Sequence, residues 1–259
     1  MDRLAVIAAE AQRLAEVVAG VDPATRCPTC PDWTVADLLW HVIEVHTFWG
    51  AILADRVTDA AELANVEQSK PSRPDTVPEM LGLRARMTAR LIEQLEKRDD
   101  AERCWSWWPD DQTVGFTRRM QTYEATMHRV DAELAAGVTV NPIAVAVAEG
   151  AIDHAVDVMW GAMPGGARYT SAGVVEFVAV DTGRRWQVEV GRWADDGGAE
   201  SAPTEGARAT RAGVGEPTAT AAARTVDLAL WAWTRGGVAQ TDGDGGTLAA
   251  LDAVVTQGM

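Results

Sequence analysis

Cysteine, tyrosine, phenylalanine and positive charge are all scarce in this 259-residue chain. Three cysteines, Cys27, Cys30 and Cys104, do not make a disulfide framework, and an odd count in a chain this long points to a reducing compartment. Only 23 Lys and Arg stand against 38 Asp and Glu, a formal net charge of -15. That shortage of cations argues against a nucleic-acid surface, which needs Lys and Arg against phosphate, and against docking on an anionic membrane. No apolar run approaches the roughly 20 residues that span a bilayer. The start, Met1-Asp2-Arg3-Leu4, continues as an amphipathic helix without an apolar signal-peptide core, so a cytoplasmic protein is expected. There is no internal repeat.

What is present is tryptophan, 11 residues against two Tyr and three Phe, together with clear helical periodicity. Leu4, Ile7, Ala11, Leu14 and Val18 mark a first helix that stops at Gly20, and Asp22 to Pro31 reads as a loop. Thr34 with Asp37 predicts a capping box opening a second helix to about Ala54, with Trp33 stapled to Leu38. Asn65 to Asp75 reads as a loop, and Pro78 opens a third helix with Met80, Leu83, Met87, Leu91 and Leu95 on one side. A Trp-rich connection, Asp99 to Thr117, leads to a fourth helix over about Arg118–Ala136. Asn141-Pro142 then predicts a further helix reaching about Trp160.

The pattern changes at Met163-Pro164-Gly165-Gly166. Beyond it, Val174, Glu176, Val178 and Val180 alternate, then Asp181-Thr182-Gly183 turns the chain into Trp186, Val188 and Val190, a hairpin. Ala207 to Val214 reads as a further strand, Ala219 to Thr234 as a helix, Gly243 to Gly246 as a turn and Thr247 to Val255 as a final helix. Two domains are therefore expected, an all-helical 1–163 and a mixed α+β 164–259.

Three residues on the apolar stripes of these helices carry the chemistry. Glu124 and His128 are one turn apart on a face shared with Met120, Tyr123, Met127 and Leu134. His41 sits among Leu38, Val42, Val45 and Trp49 on another helix. Burying a carboxylate and two imidazoles is costly without a partner. A divalent cation serves all three, and two nitrogens, one oxygen and an open fourth position describe a catalytic zinc site. The alternative is a surface Glu–His pair beside a hydrogen-bonded core histidine. Asp131, one turn past His128, is placed to accept the ring N–H of a ligand histidine, or else to pair with Arg129 or Arg118.

These residues stand in a longer pattern. Cys30-Pro31-Asp32-Trp33-Thr34-Val35-Ala36-Asp37-Leu38-Leu39-Trp40-His41 resembles the opening signature of the mycothiol-dependent maleylpyruvate isomerase family. Cys104-Trp105, Phe116, Arg118-Arg119, Glu124, His128-Arg129 and Asp131 follow in the family's order, and Thr225 to Gly236 is similar to its second-domain motif. The resemblance implies a multidomain chain: an all-α, DinB-like four-helix bundle, then a small α+β domain like the sterol-carrier proteins. It implies zinc held by His41, Glu124 and His128, and mycothiol as thiol cosubstrate. The implied chemistry is isomerisation of a maleylpyruvate-like cis-enedioate or transfer of the thiol to an electrophile. Arg235 best matches the second-domain arginine that helps hold an acidic ligand, although a cation at a helix end is favourable whatever its role. The rival expectation is a non-catalytic metal- or small-ligand-binding stress-response protein. In either case the partner is a small molecule.

The remaining motifs read as structural. Cys27-Pro28-Thr29-Cys30 is a lone C-x2-C, taken as an incidental loop with Cys30 structural. His46 reads as a surface or packing residue, and His154 as part of a solvated polar face with Asp153 and Asp157. Trp105, Trp107 and Trp108 either cap a pocket or pack between helices.

Overall fold

The computed structural model describes residues 1–197, 204–213 and 215–258. Four long helices build the first unit, Met1–Pro142. They are α1 (Arg3–Val18), α2 (Val35–Ala54), α4 (Val77–Glu96) and α5 (Val114–Ala135), with a short α3 (Leu63–Gln68) between the second and third. Each long helix has a side-chain cap: Asp2 on α1, Thr34 on α2, Thr76 on α4 and Thr113 on α5. On α2 the capping box is complete, Thr34 to the Asp37 N–H and Asp37 back to the Thr34 N–H. The buried stripes meet in a core of Ile7, Leu14, Leu38, Leu39, Ile43, Leu91, Leu95 and Val130.

Helix α5 is buried on most of its circumference, polar residues included. Arg129 donates to Glu10 at 2.6 Å and to Glu133 at 2.7 Å, and Arg13 donates to Glu133 at 2.8 Å. This fully paired buried network ties α1 to α5. A small hairpin, β1 (Arg26–Cys27) and β2 (Cys30–Thr34), replaces the loop expected before α2. Its two strands flank the Pro28-Thr29 turn, and Thr34 serves both as strand end and helix cap.

The second unit is Ile143–Met259. It opens with α6 (Val145–Asp157) and a single turn at Met159–Gly161, followed by β3 (Arg168–Ala179), β4 (Arg185–Asp195) and β5 (Thr204–Arg211). Then come β6 (Ala219–Ala223), α7 (Thr225–Ala232), β7 (Gln240–Gly243) and α8 (Gly245–Thr256). The sheet runs β5-β4-β3-β6-β7, with β3 and β6 parallel and the other neighbours antiparallel. Register places Val175 beside Val188, Phe177 between Trp186 and Ala221, and Ala179 beside Ala223 on the buried face, leaving Glu176 and Gln187 on the other.

The helical bundle and the small α+β unit are both present as expected; besides the hairpin, α3 runs into the expected Asn65–Asp75 loop, α5 starts at Val114 instead of about Arg118, and three further details differ. The division falls at Pro142/Ile143 instead of near 163, because α6 belongs with the sheet. The carbonyl of its Ala151 accepts from Trp233 Nε1 at 3.0 Å, and its Asp153 accepts from Trp186 Nε1 at 2.9 Å. The helix expected over Ala219–Thr234 is a strand, β6, followed by a shorter helix, α7. The expected strand Ala207 to Val214 is β5, ending at Arg211, and Val214 lies outside the described residues. Among the described residues no helix is long and apolar enough to cross a membrane.

Candidate metal centre

Two elements bring the site together. Helix α2 carries His41 two turns from its cap, and α5 carries Glu124, His128 and Asp131. One ligand atom each from His41, Glu124 and His128 lies within 4.8 Å of the others. Glu124 Oε1 is 3.5 Å from His41 Nε2 and 3.2 Å from His128 Nε2. The His41 and His128 rings meet edge to face, 4.7 Å between centroids. The group is less buried than its apolar spacing implies: side-chain exposure is 29% for His41, 27% for Glu124 and 8% for His128. The set is therefore partly open to solvent at His41 and Glu124, while His128 is buried.

The donor set suits a small divalent cation. Two ligand atoms each about 2.1 Å from a tetrahedral zinc lie roughly 3.4 Å apart, close to both Glu124–histidine separations seen here. His128 also has a carboxylate oxygen at each ring nitrogen, Asp131 Oδ2 at 2.9 Å from Nδ1 and Glu124 Oε1 at Nε2. Burial alone would push this imidazole down, but hydrogen bonds to Asp131 and Glu124 outweigh it and raise it to about 9. Burial likewise pushes the Glu124 carboxyl up, and hydrogen bonds from the two histidines reverse this, holding it well below the usual carboxylate range. The imidazolium is held between two acids, and its Nε2 proton, facing Glu124, occupies the position a metal ion would take.

Asp131 is fully buried, with Oδ2 2.9 Å from His128 Nδ1. It also accepts from Thr29 Oγ1 at 2.5 Å and lies 3.8 Å from the Cys30 thiol. The alternative partners are engaged elsewhere, Arg129 with Glu10 and Glu133, Arg118 with Asp100. Arg235 lies in the second unit, just past α7, where it is buried and donates from Nη1 to the Trp233 carbonyl at 2.7 Å. A cation beside a carbonyl just past the end of a helix is favourably placed whatever else it does.

Three residues near the site escaped sequence reading. Trp33, expected only to staple α2, sets its ring 4.6 Å from that of His41 and 6.2 Å from that of His128. Thr29 and Cys30 hold Asp131 from the hairpin turn. The signal was the compact Cys30–His41 run itself, which puts hairpin, cap and ligand in one short segment. The other singled-out residues sort as follows. Trp105 packs, stacking on Trp49 at 5.9 Å and meeting Phe48 edge-on, while Trp107 meets Phe116. His46 is a packing residue, buried, bonded to Thr88 at 2.9 Å and pushed by burial down to about 3. His154 does not lie on a solvated face; it is buried and stacks on Trp233 at 6.1 Å, because α6 turns that side to the sheet unit. The Cys27 thiol is buried in the hairpin and pushed by desolvation to about 12, so it is no nucleophile at neutral pH.

Comparison with known proteins places this geometry in context. The family model for the mycothiol maleylpyruvate isomerase N-terminal domain matches residues 4–133, half of the chain. Two solved structures share the fold across both units. One is a mycothiol-dependent maleylpyruvate isomerase, with TM-score 0.56 and 15% identity. The other is a histidine-to-alanine mutant of a mycothiol-dependent maleylpyruvate isomerase, with TM-score 0.58 and 13% identity. Each likeness covers 94% of this chain and 93% of the other. No curated protein matches the chain.

Proposed function

Since the chain belongs to the mycothiol maleylpyruvate isomerase N-terminal domain family, we propose that it is a metal-dependent enzyme acting through a low-molecular-weight thiol such as mycothiol. The reaction is isomerisation of a maleylpyruvate-like cis-enedioate or transfer of the thiol to an electrophile. The observation that carries this is the convergence of His41, Glu124 and His128 within 4.8 Å at a partly open site. A divalent cation held there, zinc in first place, supplies Lewis acidity that favours thiolate over thiol at neutral pH.

The chain's own residues supply position. Asp131 accepts from His128 Nδ1 and so turns Nε2 toward Glu124. Trp33 sets its ring 4.6 Å from that of His41 and so limits where that ring can swing. Arg235 is proposed to hold a carboxylate of the acidic substrate, using the forked geometry that suits such groups. Localisation in the cytoplasm follows from the thiol chemistry, which needs a reducing compartment.

The test is turnover of the zinc-loaded protein with mycothiol and candidate acceptors, beside a His41→Ala control. Turnover lost with His41 supports an enzyme; equal turnover in both ends the proposal. Metal binding without turnover on any acceptor would favour the binding-protein alternative.

A further inference from the structure

Two clefts open beside the triad, both lined by His41 and by Glu44, one turn further along α2. The first, about 300 Å³, adds Phe48, Trp49, Glu67 and Lys70. The second, about 320 Å³, adds Trp33, Trp40, Asp37 and Arg73. Each is large enough for a substituent of a few atoms beyond a bound sulfur. Their cations are already matched. Lys70 pairs with Glu67 at 2.7 Å and lies over the Phe48 ring at 5.1 Å, and Arg73 pairs with Asp37 at 2.7 Å. Glu44 is half-buried and has no ion pair or hydrogen bond among the described residues. A carboxylate entering either cleft meets this uncompensated charge, whereas a hydroxyl or ammonium group donates to it. The aromatic walls favour the same choice, since ring faces attract cations and pack on C–H surfaces.

We propose that these clefts take the non-sulfur part of the thiol substrate, that this part is a hydrogen-bond donor, uncharged or cationic, and that Glu44 selects it. The acidic partner is then excluded from this side of the triad. This rests on the thiol-and-metal function proposed above and adds the class of ligand to it.

The test loads the full chain with cobalt and titrates it with three thiols of similar size: cysteamine, 2-mercaptoethanol and 3-mercaptopropionate. The cobalt–thiolate absorption band reports binding. Each thiol is compared between the native chain and Glu44→Gln, so differences in intrinsic thiol acidity cancel. Glu44→Gln should weaken cysteamine about threefold to tenfold, strengthen 3-mercaptopropionate by a similar factor and leave 2-mercaptoethanol within about twofold. Glu67→Gln, which releases Lys70, should shift the charged thiols in the same directions and serves as the second variant should the first misfold. The same variant-to-native ratio for all three thiols overturns the role of Glu44 while leaving the metal centre intact. A cobalt-loaded native chain that shows no thiolate band with any thiol overturns both this inference and the function it rests on.

Discussion

Asp131 shows how much one side chain depends on its neighbours. It is fully buried, yet Thr29, Cys30 and His128 all converge on its two oxygens. Exchanging it for Asn keeps the shape but removes the charge that holds His128 Nδ1 protonated. Asp131→Asn should therefore lower zinc affinity about 10- to 100-fold, measured by competition with a chromophoric chelator; unchanged affinity would show that Asp131 only packs. The His128 proton makes a second prediction. Its pKa rises from 6.5 in the ordinary state to about 9 in the fold. The paired proton therefore stabilises the metal-free fold fully below pH 6.5, and that contribution is lost as pH rises through about 9. Zinc at the proposed site would compete with this proton, so a zinc-induced rise in Tm should grow steadily from about pH 6 to about pH 9. An increment that is flat over that range in scanning fluorimetry would mean the ring is already neutral without metal.

At the scale of elements, α2 is the helix whose start the sequence states most openly, and it aims His41 at the site. Thr34 and Arg73 hold the Asp37 carboxyl down at about 2. Its contribution is present above about pH 4 and is lost as pH falls from there toward 2. Asp37→Ala should cost about 1 kcal/mol in urea unfolding at neutral pH, with the difference from native shrinking as the pH is lowered through that window. A pH-independent difference would assign the loss to helix packing instead of the cap. Elements marked by such local chemistry were legible from residues alone: α2 with its capping box, and the β3–β4 hairpin with its alternation and Asp181-Thr182-Gly183 turn, whereas the Thr113 cap that starts α5 four residues before Arg118 was not read. Elements made by tertiary pairing were not. Ala219-Thr220-Ala221-Ala222-Ala223 has the intrinsic preference of a helix and becomes β6 only because β3 pairs with it in parallel. Gln240–Gly243 is exposed along its length, has no apolar face to betray a strand, and exists as β7 through its ladder to β6. The site shows the same divide. Its three candidate ligands were found by helical spacing, whereas Trp33 and Glu44 act through space that only the packed α2, α3 and hairpin define.

For the whole molecule, the decisive segment is α6, which the composition shift near 163 assigns to the bundle and the contacts assign to the sheet unit. Its apolar residues Val147, Ala148, Ala151, Ile152 and Ala155 are almost fully buried. Its acids also complete the sheet's edge: Asp153 and Asp157 receive Arg211, and Glu149 and Asp153 receive Arg184. Removing α6 leaves the buried Trp186 and Trp233 without their indole N–H acceptors. Each such orphaned donor costs about 1–3 kcal/mol, before the lost apolar contact is added, and a unit of this size has only about 5–15 kcal/mol in total. A fragment spanning 143–259 should therefore unfold cooperatively with heat, while one spanning 164–259 should show no cooperative transition by circular dichroism. Equal cooperativity in the two would place α6 outside the folding unit and return the boundary to the glycine-rich Pro164–Gly166 stretch, where the sequence first suggested it.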